Sequence, residues 1–239
     1  MSREASPKSA AGGRNSVLDL ASLSLREVNQ LLHDTKAGEF LIKNPRGAHA
    51  LACGLDGPLT VTLDGHVGYY CAGMNKEAHV TINGNAGTGV AENMMSGRVH
   101  VKGDASQSAG ATACGGLLVI DGNASARCGI SLRGLDIVVK GSVGHMSAFM
   151  AQAGALVVLG DAGDALGDSI YEAKLFVRGK VQSLGADCIE KEMREEHKAT
   201  LARLLDAAGI AGTVDIGAFK RYGSARRLYN FHIDNLGSY

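Results

Sequence analysis

Short alternating runs of apolar and polar residues recur along the middle of the chain at a fixed interval. VTLDG, VTING, VHVKG, LVIDG, IVVKG, LVVLG and LFVRG each close on a glycine: Gly65, Gly84, Gly103, Gly122, Gly141, Gly160 and Gly179. Every interval between these glycines is nineteen residues, with no insertion. Self-similarity of this kind marks a solenoid, one coil per repeat. Four residues before each glycine stand Val61, Val80, Val99, Leu118, Ile137, Leu156 and Leu175; two before it stand Leu63, Ile82, Val101, Ile120, Val139, Val158 and Val177. Period-two alternation turns both columns inward. The column between them (Thr62, Thr81, His100, Val119, Val138, Val157, Phe176) faces outward and becomes apolar toward the C-terminal end.

Further small residues recur three and seven positions after each anchor glycine, completing G-x-x-G-x-x-x-G in Gly160, Gly163 and Gly167. Glycine at such positions permits positive φ at corners and close approach of one coil to the next. Ser106, Ser125 and Gln182 depart from the pattern, and Gln182 marks a degraded final coil. The predicted fold is all-β, a β-helix of about seven coils and roughly 30 Å long at about 4.8 Å per coil.

Two helices are predicted beside this rod. SLREVNQLLHDTKAG opens with a capping box of Ser24 and Glu27, carries a staple from Leu23 to Val28 and stops at Gly38. DCIEKEMREEHKATLARLLDAAG places Ile189, Met193, Leu201, Leu204, Leu205 and Ala208 on one stripe and stops at Gly209. This second helix is expected to cover the open end of the rod, whose unpaired strand edges would otherwise invite aggregation. The chain thus divides into a disordered tail (1–16), an N-terminal helical lead-in (17–38), the β-helix domain (39–188), a C-terminal helix (189–212) and a basic-aromatic docking tail (213–239).

Composition narrows the function more than the fold. Lys+Arg and Asp+Glu balance at 24 each among 239 residues, so no global field draws the chain to nucleic acid or an anionic membrane. No window approaches the apolar length of a membrane span and the N-terminus lacks a signal-like apolar run, so a soluble, cytoplasmic protein is expected. Five scattered cysteines without a C-x-x-C pair read as reduced thiols.

The glycine-rich VTINGNAGTG resembles a dinucleotide-binding loop until the next strand, VHVKG, begins too soon for a crossover helix. Cys71 and Cys128 share a phase three coils apart, about 14 Å, too far for a disulfide or a shared metal. His79 and His100 face outward on adjacent coils with no acid in their columns, and His66 shares a coil with Cys71 without an orienting acid. Asp64 and Asp121 are three coils apart, beyond the reach of a glycosidase pair. No catalytic, cofactor-binding or metal-ligating residue is expected.

The tail FKRYGSARRLYNFHIDNLGSY interleaves Phe219, Tyr222, Tyr229, Phe231 and Tyr239 with Lys220, Arg221, Arg226 and Arg227. Arginine among aromatics is the composition of protein-interface hot spots, and with no net charge elsewhere a protein partner is favoured over RNA. Expected partner contacts are Phe176, Arg221, Tyr222, Arg226, Arg227, Tyr229 and Phe231, together with the apolar outer column. The alternative is that the tail folds back on its own rod.

The coils from about Glu39 to Cys188 resemble the GXGXG β-helix domain at the C-terminus of the glutamate synthase large subunit, and SLREVNQLL followed by LIKNPRGAHALACGL resembles that domain's beginning. The resemblance implies a right-handed, single-stranded β-helix acting as architecture between catalytic domains that this chain lacks. A free-standing copy resembles the GXGXG subunit of N-methylglutamate synthase, the methylamine-glutamate N-methyltransferase. That family implies a glutamine amidotransferase-like partner and an FMN-binding, glutamate synthase-like partner that also carries an iron-sulphur cluster. A related β-helix occurs in one of the subunits of formylmethanofuran dehydrogenase, the alternative reading.

Overall fold

The computed structural model describes residues 16–226. Nine strands stack in one parallel ladder: β1 (Ser16–Asp19), β2 (Gly38–Lys43), β3 (Leu59–Asp64), β4 (His79–Ile82), β5 (Arg98–Val101), β6 (Leu117–Ile120), β7 (Arg133–Val139), β8 (Ala153–Val158) and β9 (Lys174–Val177). From β3 to β9 the register advances by the nineteen residues of the repeat, with Val61 beside Val80, Val80 beside Val99, and so on to Leu175; one irregularity falls at the start of β7, where Arg133 pairs with Ala153. The seven coils stand as the repeat predicts. Both inward columns are sealed: Val61, Leu118, Ile137 and Leu156 are fully buried, as are Leu63, Ile82 and Val139. Opposite the ladder a second column of single parallel bridges runs Val67, Ala86, Ala105, Ala124, Val143, Ala162, Val181.

Helix α1 (Leu25–Asp34) lies between β1 and β2. Its capping box is formed: Ser24 N donates to Glu27 Oε2 at 2.8 Å and Glu27 N donates to Ser24 Oγ at 3.3 Å. Fully buried Val28 and Leu32 join Ile42 and Leu51 in the core. Asn29 fixes the helix to the next coil, donating through Nδ2 to Ala50 O (2.8 Å) and accepting from Ala52 N (2.9 Å). The helix therefore closes the N-terminal end of the rod. β1 and β2 add two rungs before the seven repeats at offsets other than nineteen, Ser16 beside Phe40 and Gly38 beside Leu59, and SVLD and GEFLIK carry no anchor glycine in register.

The C-terminal elements differ from expectation. Cys188–Lys191 is a strand, β10, and not the start of a helix. Helix α2 (Glu195–Ala207) does not cover the open end; Leu201, Leu204, Leu205 and Ala208 lie along the outer face of the ladder. They bury Val119, Val138, Val157 and Phe176, so the apolar column read as a partner surface is covered by the chain itself. An amphipathic stripe and an apolar sheet column are complementary surfaces, and joining them within one chain avoids the entropy cost of association. After a short 3-10 turn (Ile216–Ala218), β11 (Lys220–Ser224) inserts antiparallel between β9 and β10. The first part of the tail thus folds back on its own rod, with Phe219 and Tyr222 buried.

The anchor glycines are required for space more than for conformation. Of the seven, only Gly65 has positive φ. A Cβ on Gly122 would sit 2.8 Å from Gly103 O, and one on Gly141 would sit 2.7 Å from Gly122 O, well inside van der Waals contact. Positive φ falls instead five, seven and nine residues after the anchor, as at Met146, Ala148 and Met150, where the corner forces it on non-glycine residues.

Candidate functional site

The sequence-selected chemistry disperses in three dimensions. No group of three or more His, Cys, Asp or Glu side chains among the described residues is placed to hold a metal. The five cysteines are free thiols. Burial pushes the thiols of Cys71 and Cys128 upward, Cys128 to about 12, so neither supplies a thiolate nucleophile at neutral pH. His66 is committed elsewhere, its Nδ1 accepting from Asn85 N at 2.9 Å.

That last contact begins a polar ladder. One residue after each anchor, a side chain accepts from the backbone N–H of the residue nineteen positions on. Asn85 Oδ1 takes Asp104 N at 2.9 Å, Asp104 takes Asn123 N at 2.7 Å, Asn123 takes Ser142 N at 2.9 Å, Ser142 takes Asp161 N at 2.9 Å, and Asp161 takes Lys180 N at 2.7 Å. This row satisfies corner N–H groups that the coil geometry leaves without carbonyl partners. It binds coil to coil.

One ionic cluster went unread in the sequence. His100 Nε2 donates to Asp121 Oδ1 at 2.9 Å, and Lys140 Nζ meets the same oxygen at 2.7 Å, with Lys102 Nζ 3.6 Å from Oδ2. Burial lowers the His100 pKa, outweighing the pull of Asp121, and leaves the ring neutral at pH 7. Burial opposes ionisation of Asp121 too, but the hydrogen bonds from Lys140 and His100 hold its carboxyl below the usual range. The clue was available: Lys102, Asp121 and Lys140 occupy one column on successive coils, with alternating sign. His79 stands apart, paired across the ladder with Arg98, whose Nη1 donates to Ala207 O (2.6 Å) at the C-terminus of α2. Arg203 of α2 pairs with Asp136 at 3.0 Å. These charges frame the seat of α2.

The remaining selected residues fall in two groups. Phe176 and Tyr222 are buried, Arg221 Nε donates to Glu192 O at 2.9 Å, and Arg226 pairs with Asp187. Arg227, Tyr229 and Phe231 lie outside the described residues. Large apolar side chains that do remain exposed include Tyr69 (60%), Met74, Met95, Met150 and Tyr171, all on the corner segments away from the ladder. Tyr69 stacks on His49 with ring centroids 4.5 Å apart. No helix among the described residues is long and apolar enough to cross a membrane.

A parallel ladder with nineteen-residue coils, glycine-lined corners and an N-terminal helical cap fits the GXGXG type of β-helix domain. No family model matches the chain. It is 64% identical over 227 residues to Protein GlxC of Rhizobium meliloti (strain 1021), a match covering 93% of this chain and 99% of that protein. The chain belongs to the GlxC family.

Proposed function

We propose that this chain is a non-catalytic scaffold subunit of a heteromeric glutamate synthase-type complex. The observation that carries the reading is a rod whose polar side chains are spent on joining its own coils, with no constellation for covalent, acid–base or metal chemistry among the described residues. Its coil pattern supports kinship with the β-helix that accompanies catalytic domains in glutamate synthase. Within that class we favour N-methylglutamate synthase, which forms N-methyl-L-glutamate from methylamine and L-glutamate with release of ammonia. A glutamine amidotransferase-like subunit and an FMN- and iron-sulphur-bearing subunit then supply the chemistry, and the scaffold fixes their separation. Their contacts fall on the exposed Tyr and Met side chains of the corner face, residue types enriched at interfaces.

Affinity purification of the full chain from its native cells, with identification of bound proteins, tests this. The expected result is an amidotransferase-like chain together with an FMN protein, and methylamine-dependent turnover only by the assembly. Turnover by the isolated chain overturns the scaffold reading, and formylmethanofuran dehydrogenase subunits in the eluate would replace the proposed complex with the alternative.

A further inference from the structure

Asn83–Gly84, just beyond β4, is the one Asn-Gly pair in the chain. A glycine after asparagine has no Cβ to obstruct approach of its own amide nitrogen to the asparagine side-chain carbonyl. A hydrogen-bonded amide is held away from that carbonyl, so the pairing of the anchor N–H groups decides whether the approach is open. From Gly103 onward every anchor is held: Gly103 N donates to Gly84 O at 3.1 Å, Gly122 N to Gly103 O at 3.0 Å, Gly141 N to Gly122 O at 2.9 Å, Gly160 N to Gly141 O at 2.8 Å and Gly179 N to Gly160 O at 3.0 Å. Gly84 is the exception. Its N–H has no acceptor among the described residues, and Gly65 O, the corresponding carbonyl of the preceding coil, does not receive it. Gly65 is also the anchor with positive φ, and the row of anchor bonds begins only beyond it.

The asparagine is open as well. Asn83 is exposed and its side chain has no hydrogen-bond partner among the described residues, although its main-chain N–H is fixed on Leu63 O at 2.8 Å. Its neighbours in the corner differ: Asn85 and Asn123 each accept a ladder bond at 2.9 Å through Oδ1, and each is followed by alanine. Asp121–Gly122, two coils further along the column of Asn83, is held on both sides, by His100 and Lys140 at the carboxylate and by Gly103 O at the amide.

We propose that Asn83 is a deamidation site of the folded protein. The Gly84 nitrogen, its proton lost to water, attacks Asn83 Cγ; a bond forms between them, the bond from Cγ to the side-chain nitrogen breaks, and that nitrogen leaves as ammonia with a proton from solvent. Water then opens the succinimide at either carbonyl. Opening at Cγ gives aspartate and leaves the main chain unaltered, with a carboxylate set between Asp64 and Lys102 in their column. Opening at the main-chain carbon gives isoaspartate, which routes the backbone through the side chain and lengthens this one coil by a methylene. The coil is tied on both faces, Asn83 N to Leu63 O and Lys102 N to Ile82 O at 2.9 Å, so the added length works against its neighbours.

The full chain, incubated at mildly alkaline pH and sampled by peptide mapping with electron-transfer fragmentation, tests the proposal. The expected result is an acid at position 83 ahead of positions 85 and 123, as both aspartate and isoaspartate, while circular dichroism stays that of the folded rod. Ion exchange then isolates the isoaspartate fraction, in which amides of β3 to β5 should lose hydrogen-exchange protection that Asn83→Asp retains. An amide kept at 83 in the folded protein while the urea-unfolded chain converts overturns the proposal. So does conversion of Asn85 or Asn123 at the same pace. Equal protection in the isoaspartate fraction and in Asn83→Asp overturns the effect assigned to the longer coil.

Discussion

Phe176 offers a direct measure of whether the outer face of the rod belongs to this chain or to a partner. Its side chain is fully buried between β9 and the C-terminal segment, within a cluster completed by Leu201, Leu204, Leu205 and Phe219. Truncating a buried phenylalanine typically costs about 3–5 kcal/mol, the lost transfer free energy plus the cavity left behind. Most of this loss acts on the docked state of α2, since the inward columns of the coils do not touch Phe176. Opening of α2 should then become more frequent by roughly two to three and a half orders of magnitude, at 1.4 kcal/mol per factor of ten. Native-state hydrogen exchange measures this directly in Phe176→Ala: amides of residues 195–207 should lose protection while those of β3 to β6 keep theirs. The purified chain alone suffices. If those amides keep wild-type protection, Phe176 is not what holds α2 on the face, and the packing argument fails.

Two further perturbations separate the roles assigned above. Gly122→Ala should destabilise by about 2–3 kcal/mol through collision with Asp104 Oδ1 and Gly103 O, whereas Gly209→Ala, at φ +74 with open space around it, should cost only about 1 kcal/mol from backbone strain; a loss at Gly122 no larger than that at Gly209 in urea titrations would contradict the steric account of the anchors. His197 is buried at the start of α2, with Arg221, Glu196, Lys174 and Arg194 around it, and its Nδ1 accepts from Arg194 N at 3.1 Å. Burial, with Arg221 beside it, lowers its pKa below the ordinary 6.5, so the unfolded chain binds more protons in the window below that value and this contribution is lost as pH falls through it. An NMR titration should place the His197 midpoint under 6.5, with α2 exchange quickening at acid pH; a midpoint above 6.5 would reverse the sign.

What the sequence made legible was local or periodic. Ser24 and Glu27 announce α1 because both capping bonds form within one turn, and the nineteen-residue spacing announces the ladder because each rung repeats the last. Placement of α2 was not legible for a physical reason: a helical stripe states that Leu201, Leu204 and Leu205 are buried, but not which surface buries them. The clue lay in two halves, an apolar stripe and an outer column that loses its polarity from Val119 onward. β11 was hidden differently, since KRYGS carries charge and a glycine, and only pairing with β9 over forty residues away makes it a strand. Lys102, Asp121 and Lys140 share a column and could have been read as a charge ladder; what escaped was His100, which reaches Asp121 from the adjacent outward column. Likewise nothing in Met146, Ala148 or Met150 signals a left-handed backbone; the corner imposes it.

The constant spacing of the anchor glycines sets the length of the rod. Because every coil from β3 to β9 contains the same number of residues, the molecule is graduated like a ruler, each repeat adding one increment of about 4.8 Å without altering the side chains' angular position. Excising nineteen residues in phase would shorten the span between anything seated at its two ends by one graduation and leave both seats intact. Excising a number that is not a whole multiple of nineteen would rotate one end against the other.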